Sequence, residues 1–442
     1  MRSGIATVAF VWLAAYSAPA QGQTPPATPP PPIQSVVAGR QINLEEALAI
    51  ALDGQPNIVA RVADYEAARL RVDQALSPLL PQLTGTWTAA RTQSVSSTER
   101  TLTVPERTVT SWATTTVARI SLSQVLFDFG KTFASVNASR SLADVSLEEL
   151  ELQRQVIALA VKEAYTNMLF GQRVIRVNQQ AQERAELNLR SARGFFDVGT
   201  RPKSDVTRAE VDVANARVDV IRARNFERSS RVALNIAMGI AADTPTQIVD
   251  NLAYQPTALD RARLQSDALR HRPEFRQAKL RADNAEALAK RAFLDFFPDI
   301  TGSGFYGASR ADMNEVWELG LNLNWPLFDG GNRIARYREA RANFDAAKAR
   351  VKAQELDISR EVEQAIIAVD EAQERIQAAQ KAVESAQENF RLAQGRFDAG
   401  VGTILELTDA QLELTRAQNT EAQALADYRI ALARLERFVG RR

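Results

Sequence analysis

The chain has 442 residues, no cysteine, a single histidine, and 54 basic against 53 acidic side chains, a formal charge of +1. Without cysteine there is no disulfide framework and no thiolate chemistry, and the lone His271, in "RHRPEF" where a helix would end, offers neither a metal cluster nor the usual general base. Balanced charge argues against nucleic acid as a partner, because such surfaces carry a clustered basic excess. With no Gly-rich phosphate loop and no nucleophile–base pairing, neither a cofactor nor an enzymatic activity is expected.

Arg2, the apolar run Ile5 to Ala15 and the small residues Ala18-Pro19-Ala20 read as a secretory signal peptide over residues 1–20. The apolar run is too short for a membrane span, and no cysteine near the cleavage site could take a lipid anchor. Residues 21–42 contain "TPPATPPPP" and read as an extended linker outside any core. Asn43 then caps "LEEALAIAL", with Glu46 three residues on completing a capping box. Beyond the signal peptide there is no apolar run of about 18 residues, so membrane insertion would have to use strands.

From here the chain repeats itself. "QPNIVARVADYEAARLRVDQALSPLLPQLTG" from Gln55 matches "RPEFRQAKLRADNAEALAKRAFLDFFPDITG" from Arg272, placing Pro56 over Pro273, an offset of 217. Farther on, Gly130, Gly194, Gly199 and Gly239 fall over Gly331, Gly395, Gly400 and Gly440, an offset of 201. The difference must lie between Pro81 and Gly130, where an exposed hairpin tolerates length changes. The boundaries are a first repeat over 43–239, a connecting segment over 240–263 and a second repeat over 264–440.

Within each repeat the period switches. "WELGLNLNW" sets Trp317, Leu319, Leu321, Leu323 and Trp325 on one face and Glu318, Gly320, Asn322 and Asn324 on the other, the alternation of a strand. Aromatics at both ends of an apolar face suit a lipid-facing strand of an outer-membrane barrel, and a half-buried strand of a soluble sheet has the same alternation. Strands are expected at about 83–93, 112–124, 299–309 and 316–326, with Trp87, Trp112, Trp317 and Trp325 as membrane-facing aromatics and a Ser/Thr-rich loop over 94–111. Four strands cannot close a barrel, so insertion requires other copies of the chain.

Each strand pair ends in Leu-Phe-Asp-x-Gly, as Leu126, Phe127, Asp128 and Gly130 and as Leu327, Phe328, Asp329 and Gly331. These are read as strand-to-helix joints, with the aspartates receiving free helix-start amides and the glycines permitting the bend. Long helices follow at about 131–193 and 332–395, roughly 95 Å for the second. Ile358, Val362, Ala365, Val369, Ala372 and Ile376 keep a four-three spacing that continues to Phe397, a coiled-coil seam; Ile157, Val161, Ala164 and Met168 begin a looser one. Tip turns over 194–204 and 395–403 lead into returning helices.

The duplicated unit, two strands per copy, the joints and the turns "FDVGT" and "FDAGVGT" resemble the TolC family of outer-membrane efflux proteins over essentially the whole mature chain. That resemblance implies a mainly α fold with a small transmembrane β part: a homotrimer sharing one 12-stranded barrel, continued by a long α-helical coiled-coil barrel. It implies location in the Gram-negative outer membrane, with lipid, a periplasmic adaptor and an inner-membrane pump as partners. It also implies an acidic ring at the periplasmic entrance, matched by Glu406 and Asp409, and a latch acid matched by Asp205. Phe397 and Gly402 stand where the latch of relatives has tyrosine and arginine, so a looser or differently gated entrance is expected. Adaptor contact is assigned to the turns Val198, Gly199, Thr200, Arg201 and Ala399, Gly400, Val401, Gly402, Thr403.

The function implied is a passive exit duct of a tripartite efflux or type I secretion system. The alternative, a periplasmic coiled-coil adaptor or scaffold outside the membrane, would account for the signal peptide and the heptads but not for the tryptophan-bounded strands and the duplication.

Overall fold

The computed structural model describes residues 39–98, 107–249, 251, 253–310 and 314–441. The expected signal peptide and the proline-rich stretch as far as residue 38 lie outside the described residues. Asn43 closes a capping box: its side chain accepts the Glu46 amide at 2.8 Å while the Glu46 carboxylate accepts the Asn43 amide at 3.1 Å. That box starts α1 (Leu44–Gly54), and Pro56, which needs no amide partner at a helix start, opens α2 (Pro56–Leu76). After a short 3₁₀ turn come β2 (Gln82–Thr98) and β3 (Arg107–Phe127), the long α3 (Lys131–Asp197) and the returning α4 (Lys203–Met238). The second copy repeats this as α5 (Arg261–His271), α6 (Pro273–Leu294), β5 (Asp299–Arg310), β6 (Asn314–Asn324), α7 (Asn332–Asp398) and α8 (Ile404–Phe438). Two short strands, β1 (Gln41–Ile42) and β4 (Gln247–Ile248), pair in parallel beside the first copy.

Helices α3 and α7 are each 67 residues long, about 100 Å at about 1.5 Å per residue. Helix α3 packs against α4 in its own hairpin, against α2 and α6 above, and against α8 of the second hairpin; α7 packs against α6 and α8. The seam Ile358, Val362, Val369 and Ile376 is fully buried and forms the core of the second copy with Tyr428 and Leu435. Ile157, Val161, Met168 and Leu169 do the same in the first with Leu234 and Met238.

Several boundaries differ from the sequence reading. The first hairpin is longer: residues 94–98 and 107–111 are strand, not loop, because serines and threonines pair there, as in the 2.8 Å contact of the Ser94 and Ser111 hydroxyls. The long helices run past Gly194 and Gly395, which remain helical and whose carbonyls accept the terminal cap amides of Val198 and Ala399. The turns are correspondingly shorter. Residues 41–42 are not linker, since Ile42 is buried in the core and its carbonyl accepts from the Tyr165 hydroxyl at 3.3 Å. Residues 240–263 are likewise more than a connection: they contribute β4 and the first turn of α5.

The duplication is sharpest where each return helix ends. Gly239 and Gly440 take φ of +76° and +85°, and a Cβ on them would lie 2.9 Å from Gln55 Cα and 2.8 Å from the His271 carbonyl carbon. Each glycine thus abuts the step before Pro56 or Pro273. At that step the copies diverge, for Gln55 caps its own helix whereas Arg272 is buried between two carboxylates, Glu274 at 2.8 Å and Glu361 at 2.6 Å. Burial pushes the Arg272 guanidinium down, but the hydrogen bonds and charges of both glutamates outweigh it and hold it above its ordinary value. The sequence offers no sign of this pairing, which spans 89 residues to Glu361.

The joints carry the chain from strand into helix. Asp128 is buried, its carboxylate accepting the Gly130 amide at 2.9 Å and the Thr132 amide at 2.7 Å; Asp329 accepts both the amide and Nε of Arg333. Gly130 and Gly331 sit at φ +92° and +89°. One residue earlier, Phe129 adopts φ +55° where the second copy has Gly330 at +70°. A left-handed Phe costs about 1–2 kcal/mol, and its ring is held by Phe127 at 4.7 Å and Phe297 at 5.4 Å. Lys131 then ties the first joint to the second copy, donating to the Phe297 carbonyl at 2.9 Å and to Asp299 at 2.6 Å.

Gly239→Ala is expected to destabilise the fold by about 1–3 kcal/mol, combining left-handed strain with a forced backbone shift. Gly39→Ala, left-handed but in open space, should cost only the strain; denaturant unfolding of both variants checks the difference. Burial pushes the Asp128 carboxyl up, yet bonds from the Thr132 hydroxyl and amide, the Gly130 amide and the Lys131 charge hold it below its ordinary value. Its contribution is therefore complete above the unfolded value near 4 and lost as pH falls through the lower folded value. Asp128→Asn should cost about 1–2 kcal/mol at neutral pH, with the gap to wild type closing below about pH 4 in thermal melts.

Candidate functional site

Three regions hold the residues singled out in the sequence: the faces of the sheet, the joints just described, and the tips of the hairpins. The sheet order is β2-β3-β5-β6, antiparallel throughout. Residues paired directly across it share a face, so Gly85, Ile120, Tyr306 and Trp317 form one row and Leu83, Leu122, Gly304 and Leu319 the next. Leu321 and Leu323 continue that face along β6, which ends at Asn324, short of the expected 326, so that Trp325 lies one residue beyond the strand; Leu319 is 80% exposed. Trp87 and Trp112 point the same way, Trp112 beneath the Arg91 guanidinium at 5.0 Å. Trp317 to Trp325 spans about 27 Å at about 3.4 Å per residue, on the scale of a barrel's apolar band of about 25 Å.

The opposite face is mostly small and polar, with Thr84, Thr86, Ser121, Ser123, Ser303 and Asn322. At the helix end of the sheet, Leu126 and Phe127, the last residues of β3, are exposed, as are Leu327 and Phe328 just after β6. The strands end on an apolar rim where they meet the helices.

At the far end, α3 turns into α4 and α7 into α8. The first turn is closed by the Gly199 and Thr200 amides, which donate to Phe196 and Phe195 carbonyls at 2.8 and 2.9 Å. The second is closed by the Val401 and Gly402 amides, which share the Arg396 carbonyl at 3.0 and 2.8 Å. Val198 and Val401 are each 72% exposed at the extremities, flanked by exposed Gly199, Thr200, Ala399, Gly400 and Thr403.

Two tip residues sit elsewhere than the sequence reading put them. Arg201 turns inward: one guanidinium nitrogen donates to the Gly402 carbonyl at 2.6 Å, another to Asp205 at 3.5 Å, and the plane lies 4.4 Å from the Phe397 ring centre. Gly402 is buried beneath it, and a Cβ there would lie 2.9 Å from Arg396 Cβ. Neither belongs to the exposed surface. Phe397 is fully buried, edge-on to Phe195 and packed with Ile404 and Leu407.

Phe397 and Gly402, where the latch of relatives has other residues, both take part in a contact with Arg201. The arginine missing from the second turn is supplied by the first, and it binds a backbone carbonyl and a phenyl face, neither of which needs a tyrosine hydroxyl. Asp205 pairs with Arg201 of its own turn at 3.5 Å and orients it. A basic residue gained in one turn where the other has lost it was the available signal. Glu406 and Asp409 are exposed on the first turns of α8; the Glu406 amide is capped by the Thr403 hydroxyl at 3.2 Å, and its carboxylate lies 3.4 Å from Arg396. That pair is half exposed and too well solvated to hold Glu406 firmly.

Above the tip, the two hairpins meet through side-chain hydrogen bonds. Asn188 donates to Gln411 at 2.7 Å, Gln411 to the Ala181 carbonyl at 3.0 Å, and Thr408 to Asp212 at 2.9 Å.

Comparison with known proteins agrees with this geometry. The sequence profile described as "Outer membrane efflux protein" matches twice, over residues 47–240 and 264–441, which together exceed half of the chain and follow its two copies. The chain is 25% identical over 420 residues to the alkaline protease secretion protein AprF of Pseudomonas aeruginosa, covering 90% of this chain and 84% of that one. It is 24% identical over 426 residues to the outer membrane protein TolC of Escherichia coli K12, covering 90% and 82%. Among solved structures, the outer membrane protein VceC of Vibrio cholerae superposes with a TM-score of 0.75 at 21% identity, over 90% of this chain and 96% of that chain. The chain belongs to the outer membrane efflux protein family, and its exposed apolar strands and long helical hairpins are those of an outer-membrane efflux channel.

Proposed function

We propose that three copies of this chain form one duct through the outer membrane and periplasm, receiving substrate from an inner-membrane pump through a periplasmic adaptor. The observation that carries this reading is the four-stranded sheet with an apolar outer face, continuous through Asp128 and Asp329 with helices about 100 Å long. Strands β2 and β6 lie at the two edges of this sheet. In lipid such edges must be paired, which neighbouring copies would do, giving twelve strands from three chains. The duct carries no reaction of its own, and its driving energy comes from the pump.

The tips form the gate. Arg201, clamped between Gly402, Asp205 and Phe397, holds the second hairpin against the first and so favours a narrow entrance. Glu406 and Asp409, repeated three times around the axis, give the entrance an acidic ring that attracts cations. The exposed Val198 and Val401 present the turns to the adaptor.

Arg201→Ala removes a charge-assisted hydrogen bond worth about 1.5–3 kcal/mol together with a cation–π contact. It should raise single-channel conductance in planar bilayers, with Arg201→Lys intermediate because lysine keeps the charge but loses the planar fork. Conductance unchanged in both would remove Arg201 from the gate. Glu406→Ala with Asp409→Ala should raise the concentration of a trivalent cation needed for half block from the tip side by about tenfold, or about 1.4 kcal/mol. Recovery of the native protein in the detergent-free soluble fraction would refute the duct and favour the scaffold alternative.

A further inference from the structure

On the polar face of the sheet, three larger side chains stand together. Phe305 pairs directly with Ser121 on one side and Glu318 on the other, so Phe305 and Glu318 share a row. Arg119 belongs to the adjoining row, between Thr86 and Gly307. Its Nε donates to the Thr86 hydroxyl at 3.3 Å, and its guanidinium carbon lies 5.7 Å from the Phe305 ring centre. Gly307 matters to this arrangement: a Cβ there would lie 2.7 Å from Arg119 Cβ and 2.4 Å from the Ala118 carbonyl oxygen. No side chain fits opposite Arg119, which leaves it leaning across the strand over the ring.

The surroundings give these residues their meaning. The facing rows on the other side of the sheet carry Ile120, Tyr306 and Trp317, and Leu83, Leu122 and Leu319, with Gly85 and Gly304 between them, while the neighbours of the triad on its own face are Thr84, Thr86, Ser121, Ser303 and Val316. An arginine and a glutamate on one face of a thin sheet need water, and the apolar face across the sheet cannot supply it. The small hydroxyl residues around them leave the two charges and the ring as the features that project farthest. A guanidinium tethered by a threonine and by an aromatic face is also held in place more firmly than a free lysine would be.

We propose that Arg119, Phe305 and Glu318 form the contact girdle of the barrel lumen, with Arg119 meeting anionic groups of a passing solute and Glu318 cationic ones. This inference rests on the duct reading above. With three chains, the girdle places three guanidinium groups and three carboxylates on adjoining rows of the barrel wall, and the Phe305 rings narrow the passage between them. Fixed charges lining a pore set ionic preference through the same electrostatics as in other channels.

Reversal potentials under a potassium chloride gradient in planar bilayers test the girdle, measured in the Glu406→Ala/Asp409→Ala background so that tip charges do not contribute. Arg119→Gln should shift the cation-to-anion permeability ratio toward cations, and Glu318→Gln toward anions. Each shift should be about twofold to fivefold, the size expected of a unit charge acting across several ångströms of water. Arg119→Lys should leave the ratio near that of the background, and Phe305→Ala should raise conductance. Heat-resistant oligomer bands on gels identify folded variants, and the lysine variant gives a folded comparator if the glutamine variant fails to assemble. Conducting channels whose ratio is unchanged in both glutamine variants overturn the girdle and leave the duct standing. Absence of channels from the native protein overturns the duct itself, and the girdle with it.

Discussion

A β-strand in lipid must have both its backbone edges paired, because hydrocarbon offers no hydrogen-bond partner to a stranded amide or carbonyl. Each chain here provides four strands with an apolar outer face and two edges, β2 and β6. That single constraint organises the molecule. It makes the chain a fraction of a barrel and forces neighbouring copies to share the sheet. Where the backbone leaves lipid it here enters a helix, whose first amides need partners of their own. The joints meet this last demand. Asp128 and Asp329 take up amides that the first turn of a helix leaves open, and they do so at the apolar rim formed by Leu126, Phe127, Leu327 and Phe328.

Two copies of one unit need not be two copies of one set of interactions. The backbone devices are held in common: the 67-residue helices, left-handed Gly130 and Gly331, and the close seats of Gly239 and Gly440. Side chains at matched places differ. Phe129 occupies a left-handed position that Gly330 fills without strain, Lys131 reaches into the second copy's strand where the second copy has Asn332, and Arg272 makes a buried double ion pair where Gln55 is only a cap. Burying an arginine between two carboxylates adds little net stability, but removing either side would leave a charge stranded. Such pairs fix which faces meet, and this one holds the step before α6 against α7.

How much of this was legible in the sequence follows from range. The alternation of "WELGLNLNW", the four-three spacing from Ile358 and the paired glycines are local patterns, and each dictated its element. The 94–98 and 107–111 segments were misjudged because serine and threonine signal loops by composition, yet pair well when a strand lies opposite. Helix ends were placed too early because glycine punctuates a sequence, although Gly194 and Gly395 are helical and supply carbonyls to the caps. What could not be read were contacts between distant segments. Arg201 looked like one more exposed turn residue, and nothing local shows that its partner carbonyl lies 201 positions away, at Gly402.

Two kinds of contact hold the helical part. Within each copy the packing is apolar, with Ile358, Val362, Val369 and Ile376 in the core of the second and Ile157, Val161 and Met168 in that of the first. Exposing such side chains to water costs about 1.5–3 kcal/mol each. Between the copies the helices meet through polar groups along much of their length, Lys162 with Glu436, Glu163 with Arg434, Asn188 with Gln411 and Asp212 with Thr408. Water can replace such bonds at a net cost of about 0.5–1.5 kcal/mol each. At the tip, Phe195 against Phe397 and the Arg201 bond to the Gly402 carbonyl add an apolar and a charged contact to that seam. Each hairpin therefore holds together more firmly than the two hold to each other, and in the proposed duct it is along the seam between the copies that one hairpin can move against the other.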